Sequence, residues 1–372
     1  MPSARRRLSL AQVADAVARS TVPGRGAQHV GLELEVFPDG PHPAVAAALD
    51  GLSWPGGSRL TYEPGGQVEL SGPCCADARA ACAAMALDVG VLTSALGAHG
   101  IGVAIAGMHD QPPRPRVVAS PRYDAMDAYF ERHSPCGRTM MRDTAALQVN
   151  VDGGDDSRWR LLHTVAPVLA AAFANAPGDG WRSRRGRIWL ELDRTRSAPV
   201  GGSGVGAWVD YALAARVMMI GTEADGFEPV DRPMTLADWA EHGHPLGWPD
   251  GDDVAYHLTT LFPPVRPRGW LELRFLDALP SPWWQAAVGV VCGLLDHPDA
   301  AAAAAEACRP AKGLWREAAQ FGVSHPVLGD AADAVVRAAA SATGDAVVGD
   351  FYERFTARRR CPADATLVGV WD

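Results

Sequence analysis

Apolar and polar residues alternate through Gly31-Leu32-Glu33-Leu34-Glu35-Val36-Phe37. Successive side chains of an extended strand point to opposite faces, so Glu33 and Glu35 share one face and Leu32, Leu34 and Val36 the other. The alternation returns in Gly66–Ser71, with Gln67, Glu69 and Ser71 together, and in Ala146–Asp152, with Gln148, Asn150 and Asp152 together. It returns again in Arg187–Asp193 and in Trp270–Phe275, where Glu272 and Arg274 oppose Leu271, Leu273 and Phe275. Five such strands predict a sheet whose apolar back is covered by helices and whose front is a polar cavity. Carboxylates ~5 Å apart on that front would repel by roughly 3 kcal/mol per pair at an effective dielectric of about 20. A whole domain is stable by only about 5–15 kcal/mol. Glu33, Glu35, Glu69 and Glu272, if they meet there, need a cation among them.

Around these strands, Leu10, Val13 and Val17 behind Ser9 predict a first helix over 9–19. Further helices are predicted over 44–49, 76–99, 123–132, 158–174, 208–219, 235–241 and 253–261. Strands are predicted over 60–63, 67–70 and 101–106, and irregular chain over 109–122 and 134–144. The Gly201-Gly202-Ser203-Gly204-Val205-Gly206 run lacks the spacing of a dinucleotide fingerprint, and no Lys-Ser/Thr follows as in a P-loop. It is read as a structural loop, with a mobile substrate loop as the alternative. From Ser281 onward the chain is Ala-rich and predicted helical, packing the back of the sheet. With no repeat and no linker, residues 1–372 are expected to form one unit.

Composition narrows the function. The chain is 48% hydrophobic and 21% charged, as globular proteins are. A formal net charge of -9 argues against a general nucleic-acid binder. Lys312 is the lone lysine, so arginine must supply the cations. Seven cysteines, odd in number and without zinc-ligand spacing, predict reduced thiols and a cytoplasmic protein. Arg5-Arg6-Arg7 before the first apolar run faintly suggests a secretory leader, but Gln12 and Asp15 interrupt that run and favour an ordinary helix. Trp283–Leu295 falls short of the ~20 apolar residues of a membrane span, and no span is expected.

Taken in order, these stretches resemble a family. Gly31–Glu35, Tyr62–Ser71, Pro121–Met126, Gly137–Met141 with Gln148–Asn150, Ser183-Arg184 with Trp189, Asp193 and Arg196, then Trp208–Tyr211, His257–Phe262 and Leu271–Arg274 look like the glutamate–cysteine ligases of the plant and bacterial type. They are most similar to the actinobacterial branch that makes γ-glutamylcysteine for ergothioneine synthesis. The matches run over residues 31–280, leaving 281–372 as a helical C-terminal part. Two stretches depart from the family pattern: Asp193-Arg194 stands where Asp-Pro is common, and Asn175-Ala176 where Asn-Ser is common.

The resemblance implies an α+β fold related to glutamine synthetase and the guanidino kinases, with a curved, mainly antiparallel sheet lining a funnel-shaped site among helices. It implies L-glutamate, L-cysteine and ATP as small-molecule substrates, with the γ-carboxylate phosphorylated before the amine attacks. Triphosphate and carboxylate are anionic, so such catalysis is mostly positioning and charge neutralisation. Magnesium takes carboxylate and phosphate oxygens, which makes Glu33, Glu35, Glu69 and Glu272 the candidate ligands, with Glu63 a weaker one because its parity at the turn is ambiguous. Glu35 and Arg274 are the candidate catalytic residues. Gln148 and Asn150 are candidates for holding substrate. Arg184, Arg196 and Arg274 either bind substrate carboxylates and phosphates or pair structurally with Glu191 and Asp193. Trp189 and Tyr211 either wall the substrate pocket or belong to the core, and His257 either contacts nucleotide or metal or caps its helix. The rival readings are a ligase joining glutamate to another amine, a metal-dependent kinase or phosphohydrolase, and a binding protein without catalysis.

Overall fold

The computed structural model describes residues 7–21, 29–110, 113–222 and 226–368; Arg5 and Arg6 of the leader-like stretch lie outside them. Nine strands are present among the described residues: β1 Val30–Asp39, β2 Arg59–Tyr62, β3 Val68–Ser71, β4 Gly102–Ala104, β5 Ala146–Asp152, β6 Met219–Gly221, β7 Phe227–Pro229, β8 Val265–Pro267 and β9 Trp270–Asp277. Seven of them form one sheet in the order β2-β3-β1-β5-β9-β8, with β4 on the end of β1, and each pairing between strands is antiparallel. β6 and β7 form a separate antiparallel pair. Mixed helix and antiparallel open sheet is the fold the sequence led us to expect.

The back of the sheet is apolar because of the alternation. Leu32, Leu34 and Val36 of β1, Leu147, Val149 and Val151 of β5, and Leu271 and Leu273 of β9 are buried in a single continuous core. That core also takes in Val165 and Leu169 of the helix 156–172, Val288 and Val291 of the helix 283–296, and Val335 of the helix 326–343. The predicted C-terminal helices therefore share the sheet's core.

Among the described residues twelve helices precede this last bundle or open it: α1 Leu10–Arg19, α2 His42–Leu49, α3 Ala78–Ala98, α4 Pro121–His133, α5 Gly137–Asp143, α6 Asp156–Ala172, α7 Arg184–Glu191, α8 Arg194–Ser197, α9 Gly204–Ala214, α10 Leu236–His242, α11 Gly251–Thr259 and α12 Trp283–Asp296. α1 opens on a reciprocal capping box between Ser9 and Gln12 and buries Val13 and Val17, as an ordinary helix does. α3 is long and apolar enough to cross a membrane by length and composition. In the fold its buried Asp88 accepts the backbone N–H groups of Gly56 and Ser58 at 2.7 and 2.9 Å, and Met85, Leu92 and Leu96 enter the core.

Several expectations need correction. Arg187–Asp193 is not a strand: Ser183 Oγ accepts the Gly186 N–H at 2.8 Å and starts α7 over Arg184–Glu191. The stretch expected to be irregular, 134–144, contains α5. α9 begins inside the glycine run, at Gly204, and ends at Ala214, so Met219 opens β6 instead of closing a helix. β8 and the β6–β7 pair are too short to show a period.

Candidate active site

The front of the sheet is a cavity of about 220 Å³. β1 aims Glu33 and Glu35 into it because Leu32, Leu34 and Val36 are committed to the core. Antiparallel register then sets Glu35 opposite Glu69 of β3, Glu33 opposite Gln148 of β5, and Asn150 of β5 opposite Glu272 of β9, which faces Arg266 of β8. Glu63 arrives from the turn between β2 and β3, closed by its carbonyl accepting the Gly66 N–H at 2.8 Å. That turn needs glycine twice. Gly66 has φ +82°, and a Cβ on Gly65 would lie 2.2 Å from the Arg142 carbonyl oxygen. α4 and α5 roof the cavity with Arg122, Tyr123, Met126, Met140 and Met141.

Carboxylate oxygens of Glu35, Glu63 and Glu69 lie within 4.8 Å of one another. Glu35 accepts the Ala146 N–H at 2.8 Å, and Glu69 accepts the hydroxyls of Thr61 and Ser71 at 3.0 and 2.8 Å. At Glu35 the bond does not offset burial and repulsion from its neighbours. Desolvation, then Glu63, holds Glu35 well above the usual carboxylate range; desolvation, then Glu69, does the same to Glu63. Glu33, bonded to Asn150 Nδ2 at 3.3 Å, is pushed up to about 7, first by burial and then by Glu69 and Glu272.

Glu272 is the opposite case. Burial alone would raise it, but Arg266 and then Arg274 outweigh burial and hold it down at about 2. Arg266 binds it with two nitrogens at 2.5 and 3.0 Å, Arg274 Nη1 lies at 3.1 Å, and Arg268 Nη1 at 3.5 Å. Arg274 Nη1 also donates to Gln148 Oε1 at 2.6 Å. The cavity thus has an acidic end that is short of positive charge and an end where arginines already surround the carboxylate. Three half-buried carboxylates within one ion's reach fit a hard divalent cation.

The model of the "Glutamate-cysteine ligase family 2(GCS2)" matches residues 29–365. The chain belongs to this glutamate–cysteine ligase family. It is 40% identical over 363 residues to the glutamate–cysteine ligase EgtA of Mycolicibacterium smegmatis, covering 90% of this chain and 85% of that protein. It is 38% identical over 367 residues to the EgtA of Mycobacterium tuberculosis, covering 90% and 84%. Among solved structures, a bifunctional glutathione synthetase from Pasteurella multocida superposes with a TM-score of 0.52 at 12% identity, over 96% of this chain and 50% of that one, a likeness of fold.

Of the residues the sequence singled out in this family member, Glu33, Glu35, Glu69, Glu272, Gln148, Arg274 and Trp189 line the one cavity. Asn150 stands on the same face, between Glu33 and the Trp270 indole N–H, which donates to it at 2.9 Å. Trp189 reaches the wall from helix α7, edge-on to Phe262. Arg184 does not line the cavity; it faces Asp110 at 3.5 Å. One position on, Arg185 does: it is buried, stacks over Trp189 and donates to the Arg274 carbonyl at 2.7 Å.

Arg196, Tyr211 and His257 sit away from the cavity lining. Arg196 is fully buried and spends its guanidinium on Asp193 at 3.0 Å, the Thr260 and Arg216 carbonyls and the Tyr129 hydroxyl. Tyr211 stacks on Trp208. His257 is buried with Nε2 3.1 Å from the Ala212 carbonyl, and burial, then Arg196, pushes it down to about 3. Sequence reasoning overlooked Arg122, Arg185, Arg266 and Arg268. For the last two a signal was available: Arg266 and Arg268 flank Pro267 two residues apart, as Glu272 and Arg274 are in the next strand.

Proposed function

We propose that this chain joins the γ-carboxylate of L-glutamate to the amine of L-cysteine at the expense of ATP, releasing γ-glutamylcysteine, ADP and phosphate, and that the product feeds ergothioneine synthesis. The observation that carries this reading is one cavity holding a charge-deficient carboxylate trio beside an arginine cluster, in a chain 40% identical to a named glutamate–cysteine ligase over nearly all its length. Glu35, Glu63 and Glu69, with Glu33 beside them, would hold magnesium, which when bound neutralises phosphate oxygens and draws them toward the carboxylate.

The remaining work falls to side chains. The half-buried Arg274 and the buried Arg185 beside it offer planar guanidinium donors to the anionic groups of substrate and transferring phosphoryl. Glu272 and Gln148 fix Arg274 from two sides, so the guanidinium is aimed before substrate arrives. Phosphorylation turns the γ-carboxylate oxygen into a leaving group. The amine nitrogen then forms the C–N bond, the C–O bond to phosphate breaks, and the amine gives up a proton. Met126, Met140, Met141 and Phe262 keep water from the acyl phosphate.

The decisive assay is ADP release from ATP and magnesium with L-glutamate, with and without L-cysteine and a panel of other amines. Turnover that needs glutamate and is fastest with cysteine, with γ-glutamylcysteine detected by mass, is expected. Preference for another amine would rename the substrate, and folded protein without amino-acid-dependent ADP release would overturn the ligase reading.

A further inference from the structure

The last residue of β9 breaks the parity of its strand. From Leu273 to Leu276 β9 advances three residues while β5, from Val149 to Leu147, advances two, so β9 carries a bulge. Leu273 and Leu276 therefore both enter the core, and Asp277 falls opposite Ala146 of the cavity wall. An unbroken period of two would have set Asp277 on the apolar side with Leu271 and Leu273. The bulge turns a carboxylate toward the cavity side of the sheet.

Asp277 is 2% exposed and closely held. Its Oδ2 accepts the Asn175 N–H at 2.8 Å, its Oδ1 accepts the Ser183 hydroxyl at 3.0 Å, and a Cβ on Gly107 would lie 2.5 Å from its Cγ. Its cationic neighbour is Arg185, whose Nη1 lies 3.8 Å from Oδ1 while Nη2 donates to the Arg274 carbonyl. Two carboxylates act on that guanidinium. Burial pulls Arg185 down, and Asp277, ahead of Glu35, draws it back up. A buried charge that loses its partner is strongly destabilised. Arg185 and Glu35 line the same cavity, so without Asp277 the guanidinium would be left to pair with Glu35. That pairing would place a fixed cation on the carboxylate trio.

We propose that Asp277 is a positioning residue: it holds Arg185 back against the Arg274 carbonyl and off Glu35, which leaves the trio open to its divalent cation. Asp277 acts through Arg185 and touches neither substrate nor metal. The assignment rests on the metal and phosphoryl roles proposed above, and adds to them the group that keeps the two charges apart.

The test is titration calorimetry of magnesium alone on the full chain, in wild type, Asp277→Asn, Arg185→Gln and the double variant. An amide at position 277 can still accept the Asn175 N–H and donate to Ser183 Oγ, so circular dichroism should show the fold kept. Asp277→Asn should bind magnesium about tenfold more weakly than wild type. Arg185→Gln should bind it at least as tightly as wild type, and the double variant should match Arg185→Gln. In turnover, the magnesium concentration for half-maximal ADP release should rise in Asp277→Asn, with kcat recovered at excess magnesium, as a distorted site would not allow. Unchanged magnesium binding in Asp277→Asn, an equal loss with and without Arg185, or failure of the single and double variants alike to fold would overturn the proposal. A single variant that unfolds while the double variant folds and binds magnesium as Arg185→Gln does supports it, since the unpaired guanidinium is then the cause. The calorimetric pattern in protein without glutamate-dependent ADP release keeps this inference and fails the ligase reading; ligation with wild-type magnesium dependence in Asp277→Asn does the reverse.

Discussion

Glu35 and Glu272 are the same residue type on the same face of one sheet, and they hold their protons in opposite ways. Glu272 has three arginines within 3.5 Å and is held down at about 2. Glu35 has Glu63 and Glu69 as neighbours and is driven up. A half-buried carboxylate crowded by two others is kept at a cost in stability, which a function must repay. Glu35→Gln is therefore expected to lower magnesium-dependent turnover by orders of magnitude while raising the metal-free midpoint of thermal unfolding, measured by ADP release and circular dichroism. Glu63→Gln should behave alike, since it belongs to the same trio. Turnover at the wild-type rate in either variant would remove that residue from the site.

At the level of elements, what the sequence made legible was whatever is buried on one side with a strict period of two. β1, β3, β5 and β9 read correctly because each presents alternate residues to a single large core. Arg187-Ile-Trp-Leu-Glu-Leu-Asp193 alternates just as cleanly and is helical, since the Ser183 cap and the packing of Arg185 and Trp189, one turn apart, decide it. Glu63 was underrated for a related reason: the Pro64-Gly65-Gly66 turn breaks the parity between β2 and β3. Arg196 was a plausible anion binder by residue type, and only tertiary contacts show it joining α8 to the end of α11. Arg196→Ala should accordingly act on stability. Removing one partner of a buried pair costs about 3–5 kcal/mol, so a markedly lower unfolding midpoint is expected, with KM values unchanged in the protein that stays folded at low temperature. A selective rise in KM for glutamate would contradict that role.

For the molecule as a whole, the cavity makes stability depend on pH with two opposite signs. Glu33 has its pKa raised from 4.5 to about 7 in the fold, so the folded state binds more protons across that range and stability falls as pH rises through it. Glu272, lowered from 4.5 to about 2, contributes stability above pH 4.5 that is lost as pH falls toward 2. The cavity's contribution in metal-free protein should peak near pH 4.5. Unfolding midpoints measured from pH 4.5 to 7 should decline more in wild type than in Glu33→Gln, and added magnesium should offset the decline most at the upper end. Parallel curves for the two proteins would refute the assignment of that slope to Glu33. The antiparallel order of the sheet also has a consequence in time. β1 lies between β3 and β5, and the cavity is closed by β9, so Asn150 meets a partner 117 positions earlier in Glu33, and Gln148 one 126 positions later in Arg274. At synthesis rates of about 5–20 residues per second, β1 leaves the ribosome on the order of 10–50 seconds before β9. During that interval the nascent chain carries an apolar strand whose charged face has no cavity to enter, and this is when it most needs a chaperone.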